Sequence, residues 1–513
     1  MSQLPDYVAS AQPNPPENRV DWLTTTAATY AGIMLWFVFW ANLPGGGENV
    51  AGGVLSQGLP LALFSLIIAA LICYFCFYYV PGMLGMKTGL PLYIVGTSTY
   101  GVSGGFIMPG FLMGCLQFGW LSVNGFFAGL GLACIIRGAA TWEEVNAVNM
   151  SPLHLGIGIV LSVIAAFVGL KGIKYVGMIA SYMPIIPIVV LLILLVQTMG
   201  GVGSFDNEKM MQETAKTQAS AVEAMKAYEG KDVNALPGEE RGEYEKVKAQ
   251  SQIGPPVTLY GSGLLGVLSL ICAYVVGFFA TAGAAGCDFG SNNKDEKSVQ
   301  MGGLVGIAGA TIFTGGIALI AIAGTQGLGK IDAISLNPYA GLNAIVGSIG
   351  GLFMFLLAIA AFPSACFSSL IAANSFKTTL PKTNPFISCG IGTAVACLLI
   401  VTGFAGEAGA VFTLIGASFG PVCGAMMADY LLAGKKWAGP RAGFNPAGWI
   451  SWSVGFVVGG ITLLVEVFLK GTMPFAIPCP PVAAFVVGFV LYYLLAKAGM
   501  ESKVLDMPQR IDK

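Results

Sequence analysis

Residues 275–286 read VVGFFATAGAAG, and this stretch decides the predicted fold because glycines interrupt an otherwise apolar run. Glycine weakens a helix, so Gly277, Gly283 and Gly286 favour a discontinuous helix. A second interrupted stretch, residues 35–47, reads LWFVFWANLPGGG. Paired discontinuous helices that open two halves of a membrane protein are typical of inverted-repeat secondary transporters, because unwound backbone at mid-membrane can contact a solute and an ion.

The composition of the chain predicts a membrane protein. Of 513 residues, 55% are hydrophobic and only 10% are charged, and the mean hydropathy is +0.75. Twelve apolar segments are long enough to cross a hydrocarbon core of about 30 Å. These segments are 25–43, 59–85, 105–134, 153–170, 175–199, 259–286, 301–325, 349–376, 386–404, 408–433, 447–469 and 476–496.

Basic residues predict the orientation of the chain. With a cytoplasmic N-terminus, the short outer loops keep only Arg137, Lys330 and Lys470, and the other short loops carry most of the Lys and Arg. This asymmetry predicts an even number of spans with both termini cytoplasmic. We expect the protein in the cell (inner) membrane, with its spans in the lipid bilayer. The polar, Pro-rich N-terminus predicts no cleavable signal peptide. A net charge of −1 argues against a nucleic-acid partner.

The spans divide into two sets of five, followed by two more. The predicted organisation is a cytoplasmic tail over 1–24, a first inverted repeat over 25–200, a polar extracytoplasmic insert over 201–257, a second repeat over 258–434, spans 11 and 12 over 435–497, and a cytoplasmic tail over 498–513. The insert carries seven basic and ten acidic residues over 203–257. Such a composition suits a solvated helical hairpin, either a lid or docking element or a passive insertion.

Ionisable residues are absent from the middle of the spans, and this absence limits the function. Asp288 and Asp429 fall at the cytoplasmic ends of spans 6 and 10. A carboxylate-driven proton pump is therefore disfavoured, and a solute without strong net charge is favoured. The cysteines have no paired spacing and His154 is the single histidine, so a disulfide framework, a zinc site or an enzyme active site is not expected.

Neutral polar and aromatic residues remain as candidates for solute recognition. Trp120 and Asn124 lie four residues apart in span 3 and therefore share a helix face. An aromatic ring can stack on a planar heterocycle, while amides and freed backbone groups pair with its edge. The remaining candidates of this kind are Gln117, Asn42, the aromatic pair Phe278 and Phe279, and the hydroxyls of Ser364 and Ser368.

Span 8 contains a candidate cation site. Pro363 removes a backbone donor and so frees the carbonyl of residue 359. Free carbonyls near Ala361, together with the hydroxyl of Ser364, would suit Na⁺, which takes oxygen ligands. An ordinary proline kink, with Ser364 bonded back to the helix, is the alternative.

Four motifs in order resemble the nucleobase:cation symporter-1 family, the cytosine and purine permeases and hydantoin transporters. They are MKTGLPLYIVGTSTYG (86–101), LQFGWLSVNG (116–125), VVGFFATAGAAGCDFG (275–290) and FGPVCGAMMADYLLAGKK (419–436). The resemblance covers about residues 20 to 500. It implies an all-α polytopic membrane protein with the LeuT-like fold, a five-plus-five inverted repeat plus two further helices.

The resemblance also implies roles for individual residues. Trp120 resembles the span 3 aromatic residue that stacks on the base, and Asn124 resembles the amide that bonds the ring edge. Phe279 resembles the second stacking residue, with Gly277 and Phe278 in the adjoining broken segment. In span 1, the carbonyls of Val38 and Ala41 would bind the cation, and Asn42 would lie near the substrate.

Two departures separate this chain from the family pattern. Span 8 reads AAFPSACFSS (360–369) in place of a Thr-Asn run, so Ser364 and Ser368 are stand-ins there. Gly290 and Ser291 stand where a basic residue usually follows the Asp-Phe pair of span 6.

The sequence therefore predicts a symporter that imports a planar, neutral, nucleobase-like heterocycle by alternating access, functions as a monomer and is coupled to Na⁺ or H⁺. Cytosine or a purine is the first expectation, followed by allantoin, hydantoins or a vitamin precursor. A LeuT-like carrier of small amino acids or amines and a non-transport membrane subunit are the alternatives. No cofactor is expected other than Na⁺ as a coupling ion.

Overall fold

The computed structural model describes the chain apart from several short gaps. It covers residues 4–27, 40, 43, 53–140, 142–171, 176, 182–183, 185–232, 236–251, 260–331, 338–380, 382–469 and 475–507. Within these ranges the regular secondary structure is helical. Two isolated backbone bridges, Val20 to Asn293 and Arg441 to Val504, attach the terminal tails to the helices.

In the described part of the chain, eleven apolar helices, α1 to α11, correspond to predicted spans 2 to 12. Ten are long and apolar enough to cross a membrane, and α8 is shorter. Their bounds are α1 Leu59–Thr88, α2 Phe106–Arg137, α3 Pro152–Leu170, α4 Ile185–Ser204, α5 Gly263–Ala284, α6 Glu296–Gly327, α7 Gly341–Phe376, α8 Pro385–Val401, α9 Ala408–Leu432, α10 Pro446–Val465 and α11 Pro480–Lys497. Predicted span 1, 25–43, lies almost entirely outside the described residues. The chain is a multi-pass membrane protein.

The helices near the centre form two packed groups. In one group, α1 packs against α5 and α6; in the other, α2 packs against α3, α7 and α8. Glycine allows the close approach of α2 and α3, since a Cβ at Gly129 would lie 2.8 Å from the Cα of Gly158. Spans 3 and 4 and spans 8 and 9, which form the second group, hold equivalent places in the two predicted repeats. The two groups meet where the Trp120 side chain of α2 contacts Phe278 and Thr281 of α5.

The interruption of α5 lies between Gly283 and Gly286, as two of the three glycines predicted, but not at Gly277. The helix continues through Gly277 after a π-helical turn over Cys272–Val276 and ends at Ala284. Residue 285 separates it from a short helix, Gly286–Gly290. Gly277 serves close packing, because a Cβ there would lie 2.7 Å from the carbonyl oxygen of Phe412. Glycine in a membrane helix signals a close neighbour as readily as a break.

Helix α7 is interrupted in the region where Pro363 predicted irregular backbone. One helix ends at Ala360, the next begins at Phe362, and Ala361 lies between them. Pro363 occupies the first turn of the second helix, where a missing donor costs little. The kink places Ala361 and Ser364 at the centre of the second helix group.

The polar insert forms two helices, Asn207–Met225 and Gly238–Ser251, that pack against each other. The Asp206 carboxylate caps the first helix by accepting hydrogen bonds from the backbone N–H groups of Glu208 and Lys209. Gln326 at the end of α6 exchanges two hydrogen bonds with the Asp206 backbone, at 3.1 and 3.3 Å. The base of the insert is thus attached to α6.

A buried ion cluster holds the opposite end of the bundle together. Arg441 lies 3.0 Å from the Asp429 carboxylate of α9 and 2.7 Å from Glu501 in the C-terminal tail. Asp429 also accepts a 2.5 Å hydrogen bond from the Ser98 hydroxyl. Burial by itself lowers the pKa of Arg441, but the neighbouring carboxylates raise it above its ordinary value, so the guanidinium stays charged.

Candidate functional site

Trp120 lies on α2 where the two helix groups meet. Its side chain is only 6% exposed, and its indole Nε1 donates a 3.0 Å hydrogen bond to Thr281 Oγ1 of α5. The ring centroid is 4.3 Å from that of Phe278, with perpendicular planes, and 5.2 Å from that of Phe412. The hydrogen bond and the edge-to-face contact together fix the orientation of the indole.

Asn124 lies one turn further along α2 and joins it to α7. Its Nδ2 donates a 2.9 Å hydrogen bond to the backbone carbonyl of Trp120. Its Oδ1 lies 2.6 Å from the Ser364 hydroxyl, which can donate to it. The same hydroxyl lies 2.8 Å from the carbonyl oxygen of Ala361. The buried amide therefore has partners for both its donor and its acceptor atoms.

A small cavity of about 30 Å³ lies beside Trp120. Its polar lining consists of Gln117, Trp120, Asn124, Thr281, Ser364 and Ser368. These groups come from three helices, α2, α5 and α7, and offer hydroxyls and amides without a formal charge. Such a mixture of aromatic wall and neutral polar groups suits an uncharged planar solute.

The structure brings together five of the predicted solute-binding residues and places the others elsewhere. Phe278 reaches the site through its contact with Trp120, and Gln117, Asn124 and Ser368 line the cavity. Phe279 is fully buried and packs against Phe278 at 4.9 Å, but it does not line the cavity. Gly277 packs against α9 and is also absent from the wall. Asn42 lies outside the described residues.

Half of the predicted cation site can be assessed. The Ala361 carbonyl, the Ser364 hydroxyl and the Asn124 side-chain oxygen lie within 2.6 to 2.8 Å of one another along two contacts. Both distances are those of hydrogen bonds of the Ser364 hydroxyl. The contact with Ala361 is a bond from the serine back to its own helix, as in the proline-kink alternative. Val38 and Ala41, which would complete the cation site, lie outside the described residues. The cation site therefore stays a prediction.

A second cavity, of about 230 Å³, adjoins the first. The two share the lining residues Ala285, Phe289, Phe367 and Ile371. The larger cavity reaches Ser291 and Asn292, which accept hydrogen bonds from Asn14 in the N-terminal tail. A path therefore leads from Trp120 toward the side of the bundle on which the N-terminal tail lies.

Three residues of the site were not predicted from the sequence. Thr281 holds the Trp120 indole, and Phe289 and Phe367 stack on each other at 5.4 Å in the wall between the cavities. Phe367 could have been found, because it lies three residues after Ser364 and shares its helix face. Thr281 carries only a weak signal, since a threonine in a membrane helix commonly bonds its own backbone.

Comparisons with known proteins identify the fold. No family model and no curated protein sequence matches the chain. Among solved structures, the inward-facing conformation of Mhp1 is similar with a TM-score of 0.63 and 14% identity, over 96% of this chain and 92% of that chain. The closed conformation of Mhp1, a nucleobase-cation-symport-1 family transporter with bromovinylhydantoin bound, gives 0.58 at 14% identity, over 96% and 94%.

A third similar structure is a Na⁺-coupled sialic acid symporter in a substrate-bound outward-open state, with a TM-score of 0.51 and 14% identity, over 98% of this chain and 93% of that chain. The protein has the LeuT-like fold. The resemblance to nucleobase:cation symporters that the motifs indicated is thereby confirmed at the level of the fold.

Proposed function

We propose that the protein is a secondary active symporter that imports a planar, uncharged, nucleobase-like heterocycle by alternating access. The observation that carries the proposal is the position of Trp120, fixed by Thr281 and beside the Asn124 amide, in a cavity where the two helix groups meet. An indole face supplies stacking, and neutral hydroxyls and amides supply edge recognition. Cytosine and purines are the first candidates; allantoin, hydantoins and vitamin precursors follow.

Movement of the two helix groups relative to each other would expose the site to either side of the membrane. The Trp120–Thr281 hydrogen bond crosses this interface, so it is a contact that a change of state can strengthen or break. A symporter uses such a change to bind solute and ion together on one side and to release them on the other. The path to the N-terminal tail corresponds to release on the inner side, with both termini cytoplasmic.

Coupling to Na⁺ is supported by the neutral oxygens around Ser364. The Ala361 carbonyl, the Ser364 hydroxyl and the Asn124 side-chain oxygen lie together, and a cation bound there would replace the hydrogen bonds that now join them. Because Asn124 belongs both to this set and to the cavity wall, a cation near Ser364 would align a group that contacts the solute. Coupling to H⁺ is the alternative, and a monomer is sufficient for either.

Uptake into proteoliposomes tests the proposal. Labelled cytosine, hypoxanthine and alanine are supplied outside, with and without an inward Na⁺ gradient and, separately, with a pH gradient. We expect gradient-dependent uptake of a heterocycle, no uptake of alanine, and loss of uptake in Trp120→Ala with unchanged membrane insertion. Alanine uptake with no heterocycle uptake, or normal transport by Trp120→Ala, contradicts the proposal.

A further inference from the structure

The larger cavity contains a carboxylate that the proposed transport cycle does not yet use. Asp288 is the only charged residue in the wall of this cavity of about 230 Å³ as far as the described residues show. It lies in the short helix beyond the end of α5 and is half-buried. The rest of the wall is mostly apolar and includes Phe289 and Phe367. An acidic group in such a wall can accept hydrogen bonds from a solute in the cavity.

Three of the polar side chains in the wall, those of Ser291, Asn292 and Ser375, already have partners. The Ser291 hydroxyl and the Asn292 amide both donate to the backbone carbonyl of residue 288, at 2.7 and 2.9 Å. Ser375 donates its hydroxyl to the carbonyl of Gly110. These side chains are therefore committed to holding the local backbone.

The Asp288 carboxylate is far less satisfied. One oxygen accepts a 3.3 Å hydrogen bond from the backbone N–H of Leu92, and the backbone N–H of Asp288 itself also interacts with the carboxylate. The carboxylate forms no ion pair with any described residue. Burial raises the pKa of Asp288 to about 6, so the group is mostly ionised at neutral pH but poorly solvated. A carboxylate in that condition is a strong acceptor for adjacent N–H donors.

The sizes of the cavities separate their roles in this conformation. The cavity beside Trp120, at about 30 Å³, has room for only a water or two, whereas the adjoining one, at about 230 Å³, can admit a six-membered ring. The stacked pair of Phe289 and Phe367 lies in the wall common to both. A flat solute that leaves Trp120 therefore passes these rings before it meets Asp288.

We propose that the larger cavity is a second, inner binding site for the transported solute and that Asp288 makes it selective for heterocycles with an exocyclic amino group over their oxo analogues. This inference rests on the proposed function. The amino N–H of cytosine can donate to a carboxylate oxygen, whereas a carbonyl oxygen in place of the amino group meets the carboxylate as two acceptors. The inner site would thus distinguish amino-substituted rings from their oxo analogues, which the neutral cavity beside Trp120 does not do.

Cytosine and uracil are matched probes of similar size, because cytosine carries a 4-amino donor beside the N3 acceptor where uracil carries a carbonyl oxygen beside an N3–H. Binding of each labelled base to the purified protein is measured for the wild type, Asp288→Asn and Asp288→Glu. Removing one charge-assisted hydrogen bond is expected to weaken cytosine binding about tenfold or more in Asp288→Asn. Uracil binding should change less than about twofold on the same scale, and Asp288→Glu should retain the preference for cytosine.

Two further variants locate the effect. Asp506→Asn removes the same charge from an exposed position in the C-terminal tail and should leave both affinities unchanged. Trp120→Ala should abolish uptake but still bind cytosine at the inner site. The double variant Trp120→Ala with Asp288→Asn should lose this remaining binding of cytosine. Thermal unfolding of each variant shows whether the protein is folded. If Asp288→Asn does not fold, Asp288→Glu still tests the preference for cytosine over uracil.

The outcomes distinguish this inference from the proposed function. Wild-type uptake of cytosine together with equal weakening of both bases by Asp288→Asn overturns the inner site and leaves the transport function standing. Complete loss of cytosine binding in Trp120→Ala also overturns a separate inner site. If the wild type transports another of the candidate heterocycles but binds neither cytosine nor uracil, the inner site is overturned. If it neither binds nor transports any of the candidate heterocycles, the proposed function itself is overturned.

Discussion

The hydrogen bond between Trp120 and Thr281 allows a sharp test of the site. Thr281→Val replaces the hydroxyl by a methyl group of nearly equal size and removes the acceptor of the indole N–H. Trp120 is 6% exposed and Thr281 is 1% exposed, so water has little access to replace the lost partner. The 3.0 Å separation is that of a well-formed hydrogen bond.

The expected cost follows from leaving a buried donor unpaired, about 1–3 kcal/mol. If the indole keeps its orientation, the cost appears as a lower free energy of unfolding. If the indole ring turns to find another partner, solute binding must restore its orientation. The cost then appears as a loss of affinity for the solute, from roughly fivefold to a hundredfold. The two losses together should therefore approach the full penalty.

The assay combines thermal unfolding in detergent with equilibrium binding of the transported heterocycle. Thr281→Ser keeps a hydroxyl and should resemble the wild type. Thr311→Val makes the same chemical change at a buried hydroxyl without a hydrogen-bond partner in the described part of the chain, and should cost little. Wild-type stability and wild-type affinity in Thr281→Val would together refute the view that this bond orients the indole.

Three other changes test separate parts of the structure. Ser364→Ala removes the donor to Asn124 and an oxygen of the cation set, so the Na⁺ concentration for half-maximal uptake should rise several-fold; an unchanged Na⁺ dependence contradicts the role in coupling. Arg441→Met leaves a buried carboxylate unpaired and should lower the free energy of unfolding by about 3–5 kcal/mol, whereas Lys226→Met, in an exposed pair, should change it by less than about 1 kcal/mol. Replacing residues 206–250 by a short Gly-Ser linker should leave vesicle uptake largely intact, because the insert is attached at its base and lies outside both cavities; loss of solute binding would instead indicate a lid.

The positions of the membrane helices could be predicted because hydrophobic length is a local property. An apolar segment of about 20 residues must span the bilayer whatever its neighbours are. Helix α9, expected over 408–433, is found at Ala408–Leu432. The inward position of Trp120 and Asn124 could also be predicted from the sequence. A polar side chain in an apolar helix requires a partner inside the protein and so marks the inward face.

Tertiary structure alone decided which aromatic residues reach the cavity. In a helix that is apolar all round, hydropathy does not reveal which side faces a neighbour, so it does not distinguish Phe278 from Phe279. The rotation of α5 against α2 brings Thr281 and Phe278 to Trp120 and turns Phe279 away from the cavity wall. The break beyond Ala284 then places Asp288 in the wall of the inner cavity. Composition and periodicity determine where each helix lies along the chain and how long it is. Only the packing of the helices against one another determines which side chains come into contact.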